Sequence, residues 1–309
     1  MRVDNFLLAL FQTCPAKYKL RAKEHWTSRR RSGALGFGGA IHEGLAEWYR
    51  SGDREKALIH MATKWPTNLP IDDWRTKEKG LNTLAQYIRE YPTENFSIVG
   101  APEAPMVECT FTFATGLYLY CWECGDIGND NPDNICDNCG EPLEEIEYGG
   151  IFDGLVNFAG SVYVLEHKTT SQLGKYYFNQ FKPNNQITGY IWGAGLLSGQ
   201  PVGGALVNAL GVYKVSEPKF ERQLTNRSQS EIEEWLANVR NTCLLIQDCE
   251  RRGTWPLHTA ACCLYGKCEY HDVHVLGTEN ERRKRLETDY IQEVWDYENR
   301  DDNDQEGAA

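Results

Sequence analysis

Three side chains in one stretch of this 309-residue sequence have the types and spacing that metal-assisted hydrolysis needs: Asp153, Glu166 and Lys168. Glu166 and Lys168 are two apart in Val162-Tyr163-Val164-Leu165-Glu166-His167-Lys168-Thr169-Thr170, a run of strand character, so both leave the same face. Asp153 lies in the preceding run, Gly150 to Phe158, and the small turn Ala159-Gly160-Ser161 joins the two runs as a hairpin. The carboxylates supply oxygen ligands for a hard divalent cation. A neighbouring ammonium can steer or deprotonate an attacking water and offset charge on phosphate. Exposed Glu-x-Lys faces are common, but Val162, Val164 and Leu165 give this strand a buried character, and buried charges need partners or a metal. Further on, Gln186-Ile187-Thr188-Gly189-Tyr190 reads as helix, where i and i+4 share a face.

Asp153, then Glu166-His167-Lys168-Thr169-Thr170, then Gln186 and Tyr190, together resemble the PD-(D/E)XK nuclease superfamily, specifically its RecB-type branch of CRISPR-associated and phage-encoded exonucleases. The resemblance implies an α/β, restriction-endonuclease-like core, with a mixed central β-sheet flanked by helices. It also implies Mg²⁺ or Mn²⁺ on Asp153 and Glu166, a Lys168 that assists the nucleophile, and contacts from Gln186 and Tyr190 to nucleic acid. The family's proline before the Asp is Phe152 here. The stretch Gly-x-x-x-His42-x-x-x-x-Glu47 is similar to the helix that supplies the family's additional metal-site histidine, which implies His42 as a ligand with Glu47 in support. The carbonyl of His167 is a further candidate, since main-chain oxygen suits hard cations. Glu108, on the strand-like segment before the hairpin, has two readings, a group near the metal and a surface strand glutamate, of which the second is preferred. The glycine-rich run Gly33 to Gly39 lacks the Gly-Lys-Ser/Thr ending of a phosphate loop and leads into a helix from Ala40.

Eleven cysteines in a chain with no signal-peptide pattern suggest metal sites before disulfides. Cys121-Trp122-Glu123-Cys124 and Cys136-Asp137-Asn138-Cys139 stand 11 residues apart, a spacing that places four thiolates around tetrahedral Zn²⁺, with Gly125 and Gly140 for the tight turns. Cys14, Cys263 and Cys268 resemble the cysteine motif of the iron-sulfur members of the RecB-type family, with His274 standing at the last position in place of a cysteine. That resemblance implies an iron-sulfur cluster or a second zinc there, with Cys262 as an alternative ligand. Cys109, Cys243 and Cys249 read as ordinary buried cysteines.

The formal charge of -12 is unevenly spread. Residues 121 to 148 hold nine acids and no Lys or Arg, residues 287 to 309 carry a net -8, and the remaining chain is +5. The ribbon's acidity argues against gripping phosphate and points to a structural role or to a replication or recombination partner. Met1 to Arg31 is +6, a basic stretch that serves either as a phosphate-holding face or as a solvated one. No apolar run reaches the roughly 18 residues of a membrane span, so the expected location is the cytoplasm.

The elements that must position these residues follow in order. Helices are expected around 6–20, from Ala40, at 53–66 and 71–91, across 176–197, at 230–251 and at 278–297; strands are expected at 97–100, 105–119, 203–214 and 220–224. The expected organisation is a single nuclease domain over 1–298. It has a helical part at 1–95, a zinc-ribbon insertion at 119–148, a core at 105–118 and 149–255, and a C-terminal cysteine cluster and helix at 256–298. An acidic, disordered tail over 299–309 completes it. The expected function is a Mg²⁺- or Mn²⁺-dependent deoxyribonuclease acting on single-stranded DNA or duplex ends in recombination, repair or processing. The rivals are a non-catalytic DNA- or replication-partner-binding module and a preference for RNA.

Overall fold

Phe158 pairs with Ser161 across a two-residue turn whose central residues, Ala159 and Gly160, have φ of 49° and 83°. Positive φ at both positions is the twist that joins antiparallel strands without splaying them, so the expected hairpin forms at the expected place. In this computed structural model all residues are described except 30–31, 68, 71–72, 127–133, 264–265 and 299–309. Arg30, Arg31 and the tail expected to be disordered lie outside the described residues.

The chain runs β1 (Arg2–Asp4), α1 (Asn5–Thr13), α2 (Pro15–Tyr18), β2 (Trp26–Ser28), α3 (Gly33–Ser51), α4 (Arg54–Thr63), α5 (Lys77–Glu90) and β3 (Ser97–Ile98). It continues through β4 (Gly100–Ala101), β5 (Ala104–Pro105), β6 (Val107–Tyr118), β7 (Glu145–Phe158), β8 (Ser161–Thr170), α6 (Asn185–Ser198), β9 (Val202–Gly211) and β10 (Lys219–Thr225). It closes with α7 (Gln229–Arg252), α8 (His271–His274), α9 (Glu279–Asp289) and β11 (Tyr290–Gln292).

The chain divides into two units. One, formed by Arg30–Phe111 and Ile151–Ile232, holds the hairpin. Its strands lie in the order β7-β8-β9-β10; β8 is antiparallel to β7 and parallel to β9, and β10 is antiparallel to β9. A parallel step needs a crossover, and α6 supplies it. Asn184 caps α6 by accepting from the Ile187 N–H at 3.0 Å. α3, α4 and α5 bury Phe37, Ile41, Leu45, Met61, Leu84 and Tyr87 with Leu210 and Val212 of the sheet. On α5 the buried residues Gly80, Thr83, Leu84, Tyr87 and Ile88 fall at helical spacing, which is why that segment is a helix with one face inward. The result is a mixed sheet flanked by helices.

α3 starts seven residues earlier than periodicity suggests, at Gly33. Glycine is a poor helix former, but a Cβ on Gly38 would come within 3.0 Å of the Thr169 hydroxyl, so the missing side chain lets α3 lie close to the end of β8.

The other unit comprises Met1–Arg29, Thr112–Gly150 and Glu233–Asn303. β1 pairs in parallel with the first part of β7, Arg2 opposite Glu147. Leu10, Phe11 and Tyr18 pack with Ile246 and Cys249 of α7. The basic N-terminal stretch is largely paired: Lys17 with Glu269, Lys19 with Glu24, Arg2 with Glu147 and Glu298, and Lys23 with Glu250. The expected final helix stops at Asp289. Tyr290–Gln292 instead pairs antiparallel with Trp26–Ser28, because Tyr290 stacks on Tyr270, with ring centroids 5.4 Å apart, and donates to the Glu269 carbonyl. No helix among the described residues is long and apolar enough to cross a membrane.

Candidate active site and metal centres

Asp153 sits on β7 directly beside β8, and both of its oxygens are engaged. Oδ2 accepts from the His167 main-chain N–H at 2.5 Å, and Oδ1 lies 2.8 Å from His42 Nδ1. A carboxylate accepts, so His42 Nδ1 carries a hydrogen. Asp153 is only 9% exposed. Burial works to raise its acid pKa, but the His42 charge and hydrogen bond win and hold it well below the usual carboxylate range. For His42 the same contest runs in mirror image: burial opposes its charge, and Asp153 lifts it to about 9.

A third group joins them. Glu108, expected on the surface, brings a carboxylate oxygen within 4.8 Å of ligand atoms of His42 and Asp153. The cause is backbone: Glu108 has φ of 54°, a left-handed kink at the start of β6 that no alternation pattern encodes. β6 is held close by a short relay, in which Leu155 N–H donates to the Met106 carbonyl at 2.9 Å and Met106 N–H to the Val99 carbonyl at 2.8 Å. A Cβ on Gly154 would meet that Met106 carbonyl at 3.2 Å, so glycine permits the approach. Glu47 is not in this group; five residues along a helix from His42, it has turned roughly 140° away.

On the next strand Lys168 Nζ lies 2.6 Å from Glu166 Oε1 and donates to Gln186 Oε1 at 2.8 Å, while Gln186 Nε2 donates to Tyr190 Oη at 3.1 Å. Glu166, Lys168, Gln186 and Tyr190 thus form one polar chain linking β8 to α6. Burial raises the Glu166 acid against the pull of Lys168; Lys168 is itself raised, Glu166 outweighing burial, and stays an ammonium. Tyr190 is 4% exposed, its ring packed edge-on against Phe111 and Phe152. His167 points to the other face of the sheet, where burial pushes its imidazole down to about 3.

Carboxylate oxygens with one imidazole are donors that suit Mg²⁺ or Mn²⁺ better than a soft metal. A cation here would compete with the proton that Asp153 holds on His42.

With this geometry in place, the chain can be set beside known proteins. The profile of the PD-(D/E)XK nuclease superfamily matches residues 7–273. The chain belongs to this superfamily. A crystal structure from Eubacterium rectale, described as a "Putative exonuclease", superposes with a TM-score of 0.51 at 11% identity, covering 89% of this chain and 88% of that one. It shares the fold. The structure of SSO0001 is also 11% identical, over 78% of this chain and 85% of that one, at a TM-score of 0.27, too loose to carry any argument. No curated protein matches the chain significantly.

In this PD-(D/E)XK protein a cysteine ribbon is inserted between β6 and β7. Cys121, Cys124, Cys136 and Cys139 place their sulfurs within 4.8 Å of one another, and all four are free thiols. The two knuckles repeat one pattern. Gly125 N–H donates to the Cys121 carbonyl and Gly140 N–H to the Cys136 carbonyl, and both glycines have φ of 76°. Four sulfurs so disposed suit Zn²⁺.

A second cysteine group gathers at the N-terminal helices. Cys14, between α1 and α2, accepts from the His258 N–H at 3.5 Å, and Cys268 N–H donates to the Cys262 carbonyl at 2.8 Å. Burial raises the Cys262 thiol first, followed by the charges of Cys268, Cys14 and Cys263, but these four are not gathered as closely as the ribbon sulfurs. His274 lies on α8, where burial and then the charges of Arg282 and His271 lower its imidazole. Cys243 and Cys249 are buried as expected, while Cys109 is half-buried.

Proposed function

We propose that this protein is a divalent-metal-dependent deoxyribonuclease of RecB type, hydrolysing phosphodiester bonds at single strands or duplex ends. The observation that carries the reading is the convergence of His42, Glu108 and Asp153, with the Glu166–Lys168 ion pair on the neighbouring strand. These acids and the imidazole, with the His167 carbonyl, would hold Mg²⁺ or Mn²⁺. When bound, the ion supplies Lewis acidity and charge for the in-line displacement at phosphorus.

The chain's own residues do the rest. The His167 N–H and His42 fix the rotamer of Asp153, so the ligand set is preorganised. Lys168, held as a cation by Glu166, orients a water through its hydrogens and offsets negative charge on the phosphoryl oxygens; staying protonated, it is a poor base. Gln186 fixes Lys168 from α6, and Tyr190 fixes Gln186. Gln186 and Tyr190 would thus act on the strand through the lysine they hold in place.

The ribbon cysteines would hold a structural Zn²⁺, and the acidic surface of that insertion suits a basic patch on a replication or recombination partner. Cys14, Cys263 and Cys268, with His274 or alternatively Cys262, would hold an iron-sulfur cluster or a second zinc. The deciding experiment is cleavage of single- and double-stranded DNA and of RNA with Mg²⁺ or Mn²⁺, using wild type, Asp153→Ala and Lys168→Ala. Wild-type cleavage lost in both variants supports the reading. Equal activity in all three rejects the site, and nucleic-acid binding with no cleavage favours a non-catalytic module.

A further inference from the structure

On the face of the sheet opposite Glu166 and Lys168, three register partners make one polar line. His167 of β8 lies across from Asn208 of β9, and Asn208 lies across from Arg222 of β10. Arg222 Nε donates to Asn208 Oδ1 at 3.2 Å. A guanidinium has no acceptor, so this contact fixes which end of the amide is oxygen. Asn208 Nδ2 is therefore the donor, to Tyr87 Oη at 2.9 Å and to His167 Nδ1 at 2.7 Å. His167 Nδ1 accepts, and the imidazole hydrogen resides on Nε2.

Behind Asn208, four of the five guanidinium hydrogens of Arg222 have partners. Arg222 donates to both oxygens of Glu94 at 2.5 and 2.8 Å and to Tyr87 Oη at 2.6 Å, and its guanidinium lies 3.7 Å over the Tyr91 ring. Tyr87 Oη, accepting twice, gives its hydrogen to Tyr49 Oη at 2.6 Å, and Tyr49 donates to Glu94 at 2.7 Å. Tyr49 also stacks on the His167 ring, with centroids 5.5 Å apart and planes 10° from parallel. Asn208 is fully buried. A buried network in which both Asn208 amide hydrogens and its oxygen are engaged holds that amide in one orientation.

We propose that Asn208 is a positioning residue of the active site: anchored by the Arg222–Glu94 pair, it locks His167 as the Nε2–H tautomer, and through the His167 main chain it sets Asp153, Glu166 and Lys168. The main-chain N–H of that same residue holds Asp153, and the residue's neighbours on either side are the acid and the lysine. One consequence is that His167 offers no ring nitrogen to a cation, since Nδ1 is occupied and Nε2 carries hydrogen; only its carbonyl remains. The effect on catalysis rests on the metal-dependent nuclease reading, whereas the tautomer does not.

The test uses the full-length protein labelled with ¹⁵N-histidine, with His167 assigned by its loss in His167→Asn. Two-bond proton–nitrogen correlation is expected to show an Nε2–H imidazole in wild type. Asn208→Asp, which presents an acceptor in place of the donor, is expected to move the hydrogen to Nδ1. Arg222→Lys keeps the charge but loses the Nε donor, and is expected to give a mixture. Calorimetric titration with Mn²⁺ is expected to show binding about 10–100-fold weaker in Asn208→Leu and in Arg222→Lys, with cleavage lost in kcat and not in KM. An Nδ1–H signature in wild type overturns the inference, as does wild-type Mn²⁺ affinity in a folded variant whose tautomer has changed. An Nε2–H His167 in a wild-type protein that binds no Mn²⁺ and cuts no nucleic acid sinks the nuclease reading and leaves the tautomer assignment standing.

Discussion

Lys168 and Glu166, two residues apart on β8, form an ion pair of 2.6 Å in which the acid side chain is 4% exposed and the base 28%. The carboxylate is the fixed member and the ammonium the one that reaches toward solvent. That asymmetry suits a lysine whose outer hydrogens are offered to a substrate.

Replacing Lys168 separates these roles. Lys168→Ala is expected to lower cleavage about 10²–10⁴-fold. Lys168→Arg keeps the charge but cannot occupy the same compact position against Gln186, and should recover only part of the loss. Single-turnover cleavage rates check both; wild-type rates in either variant remove Lys168 from the chemistry.

Glu108 should matter as much as the residues that pattern-reading singles out. Glu108→Gln keeps the shape and removes the charge, and Mn²⁺ affinity measured by calorimetry is expected to fall roughly tenfold or more, in line with His42→Ala. An unchanged affinity would mean that its proximity to Asp153 is incidental.

The cysteine ribbon predicts a metal content. Purified protein should carry about one zinc at this site, retained against a weak chelator and lost in Cys121→Ser or Cys136→Ser together with thermal stability. Anaerobic purification with elemental analysis and a visible spectrum reads the Cys14 group in the same sample. Broad visible absorption that disappears in Cys268→Ser would assign an iron-sulfur cluster, and a second zinc would exclude it.

Two glycines of α3 should respond in opposite directions. A Cβ on Gly44 would meet Leu84 Cδ2 at 2.4 Å and Met61 Cβ at 3.0 Å, whereas nothing lies within 4 Å of one on Gly39. Alanine gains up to about 1 kcal/mol in a helix interior, and overpacking costs about 1–3 kcal/mol. Gly39→Ala should therefore raise the urea midpoint and Gly44→Ala lower it. The same sign for both would show that packing between α3 and its neighbours is looser than described.

The hairpin, the Glu-x-Lys face, the Gln186/Tyr190 helix and the cysteine knuckles were all legible in the sequence, because each is a local pattern whose spacing is its geometry. What was hidden depends on backbone detail or distant partners. Glu108 enters the site through a single left-handed φ, and a surface glutamate with the same neighbours would look identical on paper. Asn208 and Arg222 lie 41 and 55 residues beyond His167, and only strand register brings them into line. The early start of α3 was concealed by glycines whose low helix propensity is overridden by close packing. The last helix was overextended because the Tyr290–Tyr270 stack, a tertiary contact, ends it at Asp289.

β10 is the outermost strand of the β7-β8-β9-β10 order, and along it Lys219, Glu221 and Gln223 face solvent in alternation. A strand at the edge of a sheet offers amides and carbonyls to which another chain can add, and exposed charges such as Lys219 and Glu221 make that addition unfavourable. The same strand contributes Arg222 to the network behind the active site, so the margin of the sheet both guards against aggregation and anchors the residues that hold Asp153 in place.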